Sequence, residues 1–166
     1  GYAGDFYIID GIYHNRPETA GFERLFDNYF QMSAISQAVR NRKEDFKNLI
    51  IDFVNKRRAG DIKIMDLACG PCREVKELFE GALIKRTKVD IHCYDHDPRA
   101  LAYAKDVLKG TPGRVRFFLR NAVKMSVASR IERLVPEKYD FIYSTGLFDY
   151  FEHKLAVKLL RNLKKL

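Results

Sequence analysis

The chain has 166 residues, 46% of them hydrophobic, which suffices for one compact domain with its own core. Its 30 lysines and arginines against 22 acids give a formal charge of +8. The cations are scattered over Arg40, Arg42 and Lys43, Lys56 to Arg58, Lys85 and Arg86, and Lys158 to Lys165, so solvated helix faces are expected rather than a nucleic-acid footprint.

No apolar run approaches the roughly 20 residues that a membrane span needs, and no basic leader followed by an apolar stretch opens the chain. Three cysteines do not make a disulfide framework. A cytoplasmic, reducing setting is therefore expected.

Residues 1–20 carry Gly, Asn and Pro punctuation without a sustained period and read as an ordered arm or loop. Phe22, Leu25, Phe26, Tyr29 and Phe30 recur at helical spacing. A longer helix follows, with Ile35, Ala38, Val39, Phe46, Leu49, Ile50, Phe53 and Val54 on one face. It ends in Lys56-Arg57-Arg58 before Gly60, where cations suit the helix dipole and glycine suits a C-cap.

The pattern then alternates. Ile62 to Leu67, Val89 to Tyr94, Val115 to Leu119 and Tyr139 to Tyr143 read as strands. Arg73 to Ala82, a segment opened by Asp97-Pro98 and closed at Gly110, and Glu152 to Leu166 read as helices; Ser129 to Val135 reads as a short one. Strands joined by helical crossovers predict an α/β fold with a parallel sheet covered on both faces. The expected division is a helical arm and lid over residues 1–58 and an α/β domain over 59–166.

The most informative segment is Asp66-Leu67-Ala68-Cys69-Gly70-Pro71-Cys72-Arg73-Glu74. In open α/β sheets ligands bind beyond the carboxyl ends of the strands, where a tight turn exposes backbone N–H groups beside a helix N-terminus. A strand ending in an acid, then small residues and a glycine, then a helix, builds such a pocket. The turn resembles the first motif of class I methyltransferases, with Ala68 and Cys72 standing where glycine is common. The G-x-G-x-x-G fingerprint of dinucleotide-binding domains is missing.

The same residues spell Cys69-Gly70-Pro71-Cys72, which resembles the thioredoxin active-site tetrapeptide, with Thr111-Pro112 where a thioredoxin's cis-proline would fall. A thiol–disulfide oxidoreductase using Cys69 and Cys72 is therefore the alternative. Against it, Ala68 replaces the aromatic residue that usually precedes the first cysteine, and the chain has no Trp.

Later segments follow the first reading. Asp95, with His96, ends the second strand, where a carboxylate is positioned for a ribose diol, while Asp97 reads as a helix N-cap. Asn121-Ala122 follows the third strand, where the resemblance implies adenine recognition by the side-chain carbonyl and the next backbone N–H. The fourth strand runs into Tyr143-Ser144-Thr145-Gly146-Leu147-Phe148-Asp149-Tyr150, which in this fold closes over the methionine portion.

That segment, the Leu67 to Glu74 turn and Ser36-Gln37-Ala38-Val39-Arg40-Asn41-Arg42 together resemble a bacterial methyltransferase family that makes 3-hydroxypalmitic acid methyl ester, an extracellular factor. The resemblance implies S-adenosyl-L-methionine as cofactor. Its binding residues would be Asp66, Ala68, Cys69, Gly70, Pro71, Glu74, Asp95, His96, Asn121, Ala122, Ser144, Gly146 and Leu147. The acceptor would be small or lipid-like, such as a hydroxy fatty acid carboxylate held by Arg40 or Arg42. No His–acid or Cys–His pair marks a catalytic residue, and no metal site is expected, since there is no paired His–Cys spacing beyond Cys69 and Cys72. Such a sheet has seven strands and four are legible here. The chain is therefore expected to lack its last strands, with the fourth strand an edge that a further segment or a second copy in a homodimer completes.

Overall fold

The computed structural model describes residues 5–57, 60–84 and 88–166. Three helices come first: α1 (Phe6–His14), α2 (Glu23–Met32) and α3 (Ala34–Lys56). An alternating series follows: β1 (Ile62–Leu67), α4 (Arg73–Glu80), β2 (Val89–Asp95), α5 (Pro98–Val107), β3 (Arg114–Leu119), α6 (Ala122–Val127), β4 (Phe141–Tyr143) and α7 (His153–Leu163). Short 3-10 turns precede and follow β4.

The four strands form one parallel sheet in the order β3-β2-β1-β4. The chain winds one way from β1 to β3 and then crosses to the other side of β1. The reversal of strand order therefore lies at the carboxyl ends of β1 and β4, where open parallel sheets form a crevice.

Alternation along β1 sends Ile62 and Ile64 to one face, with Ile50 and Val54 of α3, Val75, Leu78 and Phe79 of α4, and Leu101 and Ala104 of α5. Met65 and Leu67 face the other way, onto Met125 of α6 and Leu159 and Leu163 of α7. Helices thus cover both faces, as the alternating pattern predicts. Lys43 of α3, almost fully buried, ion-pairs with Glu77 of α4, so one cation read as part of a solvated face instead ties two helices together.

The first 20 residues correct the sequence reading. Residues 6–14 are helical, because Asp5 caps the helix by accepting from the Tyr7 N–H at 2.9 Å and Asn15 ends it in a left-handed conformation. Phe6, Asp10 and Ile12 are buried. A polar anchor among apolar positions, with Gly11 beside it, hides the period.

The second difference concerns α2. It is helical where its spacing predicts, yet Phe22, Leu25, Phe26 and Tyr29 stay 60–79% exposed and form an outward apolar face. The helix after β3 was not legible in the pattern, and the short helix expected at Ser129 to Val135 is a single 3-10 turn. α3 ends at Lys56 with Arg57 extended, so Gly60 is not its C-cap. Arg58, Lys85, Arg86 and the expected 58/59 division lie outside the described residues.

Gly113 shows how closely the loop before β3 meets the core. A Cβ there would lie 2.6 Å from the Phe79 ring, inside the reach of any real contact. Gly113→Ala is expected to destabilise the chain by about 1–3 kcal/mol through overpacking. Thermal unfolding should then show a fall in Tm of roughly 2–4 °C for each kcal/mol.

Candidate active site

The turn after β1 is built by alternation of a second kind. Ala68, Gly70 and Cys72 all take left-handed conformations, with φ of 58°, 54° and 53°. These are the positions where the first methyltransferase motif favours glycine, and Ala68 and Cys72 hold the same backbone at a cost of about 1–2 kcal/mol each. Gly70 has open space where a Cβ would stand, so a ligand can approach its backbone.

Asp95, at the end of β2, locks this turn to its own. One carboxylate oxygen accepts from the Gly70 N–H at 3.2 Å and the other from the Asp97 N–H at 3.0 Å. Asp97 caps α5, accepting from the Arg99 N–H at 2.8 Å, as its place before Pro98 predicts. After β3, Asn121 caps α6 by accepting from the Lys124 N–H at 3.1 Å. The side-chain oxygen read as an adenine acceptor is therefore engaged with its own helix, leaving a second lone pair and the amide N–H donors for a ligand.

These turns surround a cavity of about 770 Å³, within the range of small-molecule sites. Of the sequence-predicted residues, Ala68, Cys69, Gly70, Pro71, Asp95, His96, Asn121, Ala122, Gly146, Leu147 and Arg42 line it. Asp66, Glu74, Ser144 and Arg40 do not. Asp66 and Glu74 sit buried behind the wall, where the Tyr143 hydroxyl donates to Glu74 at 3.1 Å. Burial, reinforced for Asp66 by the neighbouring Glu74 charge, raises both carboxyls above their ordinary range. Arg40 binds the Gln31 carbonyl at 2.8 Å and ties α3 to α2.

Arg42 behaves differently from Arg40. It reaches the cavity, ion-pairs with the exposed Asp149 at 3.1 Å, and keeps a buried Nε without a hydrogen-bond partner. A Cβ on Gly146 would stand in ordinary contact with its guanidinium, 3.4 Å away, so the turn after β4 passes directly beside that charge.

Phe6, Ile9 and Tyr13 of α1 and Ile35, Ala38 and Val39 of α3 complete the wall. The α1 residues were missed because residues 1–20 read as a loop, although an i, i+3, i+7 spacing behind a capping Asp was there to be found. α1 is fastened by Asp10, whose carboxylate takes Arg73 at 2.8 and 2.6 Å and the Tyr103 hydroxyl at 2.6 Å.

The alternative built on Cys69 and Cys72 is not supported. A thiol–disulfide catalyst needs an accessible thiolate, whereas both cysteines are buried, and burial followed by contact with the Cys69 and Cys93 thiols pushes Cys72 well up. No peptide bond among the described residues is cis, Thr111-Pro112 included.

A parallel β3-β2-β1-β4 sheet with four turns around a cavity at its switch point is a Rossmann-like α/β arrangement. Residues 4–163 match the model of the family described as "Putative methyltransferase", and the chain belongs to that family. No curated protein matches it.

Solved structures share the fold at low identity. One is described as a possible exported protein from Bordetella parapertussis, with TM-score 0.70 and 19% identity over 95% of this chain and 49% of that one. A second is the plantazolicin methyltransferase BamL, in complex with a triazolic desmethylPZN analog and SAH, with TM-score 0.54 and 17% identity over 96% and 55%. A third is the mycolic acid cyclopropane synthase CmaA1, complexed with SAH and CTAB, with TM-score 0.50 and 16% identity over 93% and 50%. The chain thus spans about half the length of these proteins. No helix among the described residues is long and apolar enough to cross a membrane.

Proposed function

We propose that the cavity binds S-adenosyl-L-methionine and that the chain takes part in methyl transfer to a lipid-like carboxylate such as a hydroxy fatty acid. The observation that carries this reading is the convergence of the four strand-end turns on one cavity with Asp95 on its wall, 7% exposed. The family match and the SAH held by two fold relatives support it.

The fit rests on the donors and acceptors present. Asp95 keeps lone pairs for a ribose diol beyond those used by Gly70 and Asp97, and Asn121 with the Ala122 N–H offers an amide edge for adenine. The left-handed turn at Ala68 to Cys72 leaves the backbone at Gly70 open to the methionine portion. Thr145 to Leu147, after the neighbouring β4, line the same cavity. The first division, a lid of residues 1–58 over an α/β domain, is kept as part of the proposal, since α1 and α3 supply one wall of the cavity.

The cofactor supplies a methyl group activated on sulfonium, and the chain's task is to hold the acceptor in line with it. A carboxylate is already ionised near neutral pH, so no general base is required. Arg42 is assigned to hold that carboxylate, exchanging Asp149 for the acceptor. Ile9, Ile35, Val39 and Leu147 give the cavity apolar walls. A cytoplasmic setting belongs to the same proposal, as does completion of the β4 edge by further chain or a homodimer partner; β4 pairs with β1 alone among the described residues.

Calorimetry with S-adenosylhomocysteine under reducing conditions tests the cofactor site. Saturable binding of one molecule per chain in the micromolar range is expected, and no binding to a demonstrably folded sample would overturn the reading. For the acceptor, Arg42→Ala is expected to weaken binding of a long-chain hydroxy fatty acid roughly 10- to 100-fold, the worth of a charged hydrogen bond. S-adenosylhomocysteine affinity should change far less. Equal fatty-acid affinity in both proteins would remove Arg42 from that role.

A further inference from the structure

Behind the cavity wall lies a group of side chains that methyl transfer does not use. Register places Asp66 of β1 directly beside Cys93 of β2, both on the face covered by α4. The turn then brings Cys69 and Cys72 against them. One donor atom from each of Asp66, Cys69, Cys72 and Cys93 lies within 4.8 Å of all the others, and all four residues are buried. The Cys72 Sγ stands 3.9 Å from Asp66 Oδ2, while Asp66 Oδ1 is buried without a hydrogen-bond partner.

From this geometry we infer that Cys69, Cys72, Cys93 and Asp66 form a binding site for a thiophilic metal ion, zinc in the first instance. Three sulfurs and one carboxylate are a soft donor set of the kind zinc accepts, and a tetrahedral ion with bonds of about 2.3 Å to sulfur separates its ligands by roughly 3.8 Å. The donors need only contract by about 1 Å or less to reach it. Each thiol, and the Asp66 carboxyl where it is protonated, releases its proton to solvent as it ligates, and zinc with three thiolates and one carboxylate carries a net charge of −2, the charge of a four-cysteine site.

Two further features fit. Cys72 keeps its thiol at a left-handed position where glycine is free of strain, so backbone energy is spent to hold a third sulfur there. Cys72 also occupies the N-cap position of α4 without a side-chain capping bond, beside N-terminal N–H groups that favour nearby anions. Cys69 lines the cavity and gives the ion an entry path, while Cys72 and Cys93 lie behind it. An ion held here clamps β1, β2 and α4 at the turn that shapes the cavity.

The test is zinc retention by the full chain after reduction and dialysis, with X-ray absorption at the zinc edge. One zinc per chain with about three sulfurs at about 2.3 Å is expected. Cys93→Ala should lower zinc affinity at least 100-fold. Cys72→Gly should do the same; glycine suits the backbone there but empties a fully buried position, so thermal unfolding of each variant is measured beside its zinc affinity and only a folded variant is scored. No retained zinc, oxygen and nitrogen donors only, or wild-type affinity in Cys72→Gly would each overturn the site. So would a chain that, once reduced, re-forms a Cys69–Cys72 disulfide in preference to binding zinc.

Discussion

Asp95→Ala is expected to lower affinity for S-adenosylhomocysteine by about 100-fold or more while the chain remains folded. The carboxylate is asked to do two things at once. It accepts the Gly70 and Asp97 N–H groups, which fixes the relative position of the turns after β1 and β2, and in the proposed complex it accepts the ribose diol. Hydrogen bonds to a charged group contribute about 1.5–3 kcal/mol each, so two lost to the ligand correspond to roughly 100-fold or more. The loss on the protein side adds to this, because a turn without its acceptor no longer presents the Gly70 backbone.

Asp95→Asn separates the two roles. It keeps one acceptor oxygen and the shape of the side chain, so it should fall between wild type and Asp95→Ala. Calorimetry on the three proteins, with thermal unfolding beside it, measures both effects. Wild-type affinity in Asp95→Ala would mean that the nucleoside does not lie against this carboxylate, and the proposed function would lose its main support.

The sheet was legible in the sequence because its signals are local. β1 and β2 are short β-like runs with apolar residues at alternate positions, Asp97-Pro98 announces α5, and strand-end turns are where such folds bind ligands. Ala68, Cys69, Gly70 and Asp95 could therefore be placed near one another from the ends of successive strands, and the resemblance to methyltransferases added Asn121 and Gly146. What stayed hidden depends on contacts distant in sequence. Asp10 looks like a loop acid until Arg73 and Tyr103 arrive from α4 and α5. Cys93 looks like a core residue until strand register sets it beside Asp66. The aromatic spacing of α2 predicts a helix correctly but says nothing of which way the helix faces.

The same long-range logic governs the helix that closes the cavity, and Arg73→Ala tests it. The Asp10 carboxylate is almost wholly buried, and its partners are Arg73, Tyr103 and the weaker His14 at 3.6 Å. Removing one partner of a buried ion pair leaves an uncompensated charge and costs about 3–5 kcal/mol. α1 is a short helix held to the rest of the chain largely by this anchor and by Phe6 and Ile12, so the cost is expected to appear first as local release of α1. Hydrogen exchange should quicken in residues 6–14 before the sheet responds. Cofactor affinity should fall with it, since Phe6, Ile9 and Tyr13 leave the wall. In an Asp10→Ala, Arg73→Ala double variant the effects should be well short of additive, because the orphaned charge has gone.

Acidity supplies an independent check. Burial pushes the Asp10 carboxyl up, but hydrogen bonds from Arg73 and Tyr103 outweigh it and hold the group below its ordinary value. A lowered folded value means that the unfolded chain binds the proton more readily, so the stabilisation is complete above about pH 4 and is lost as pH falls through the folded value. Wild type and Arg73→Ala should therefore differ most near neutral pH and converge in acid. A stability gap that stays constant from pH 7 to pH 3 would show that Arg73 acts through packing rather than through the Asp10 charge.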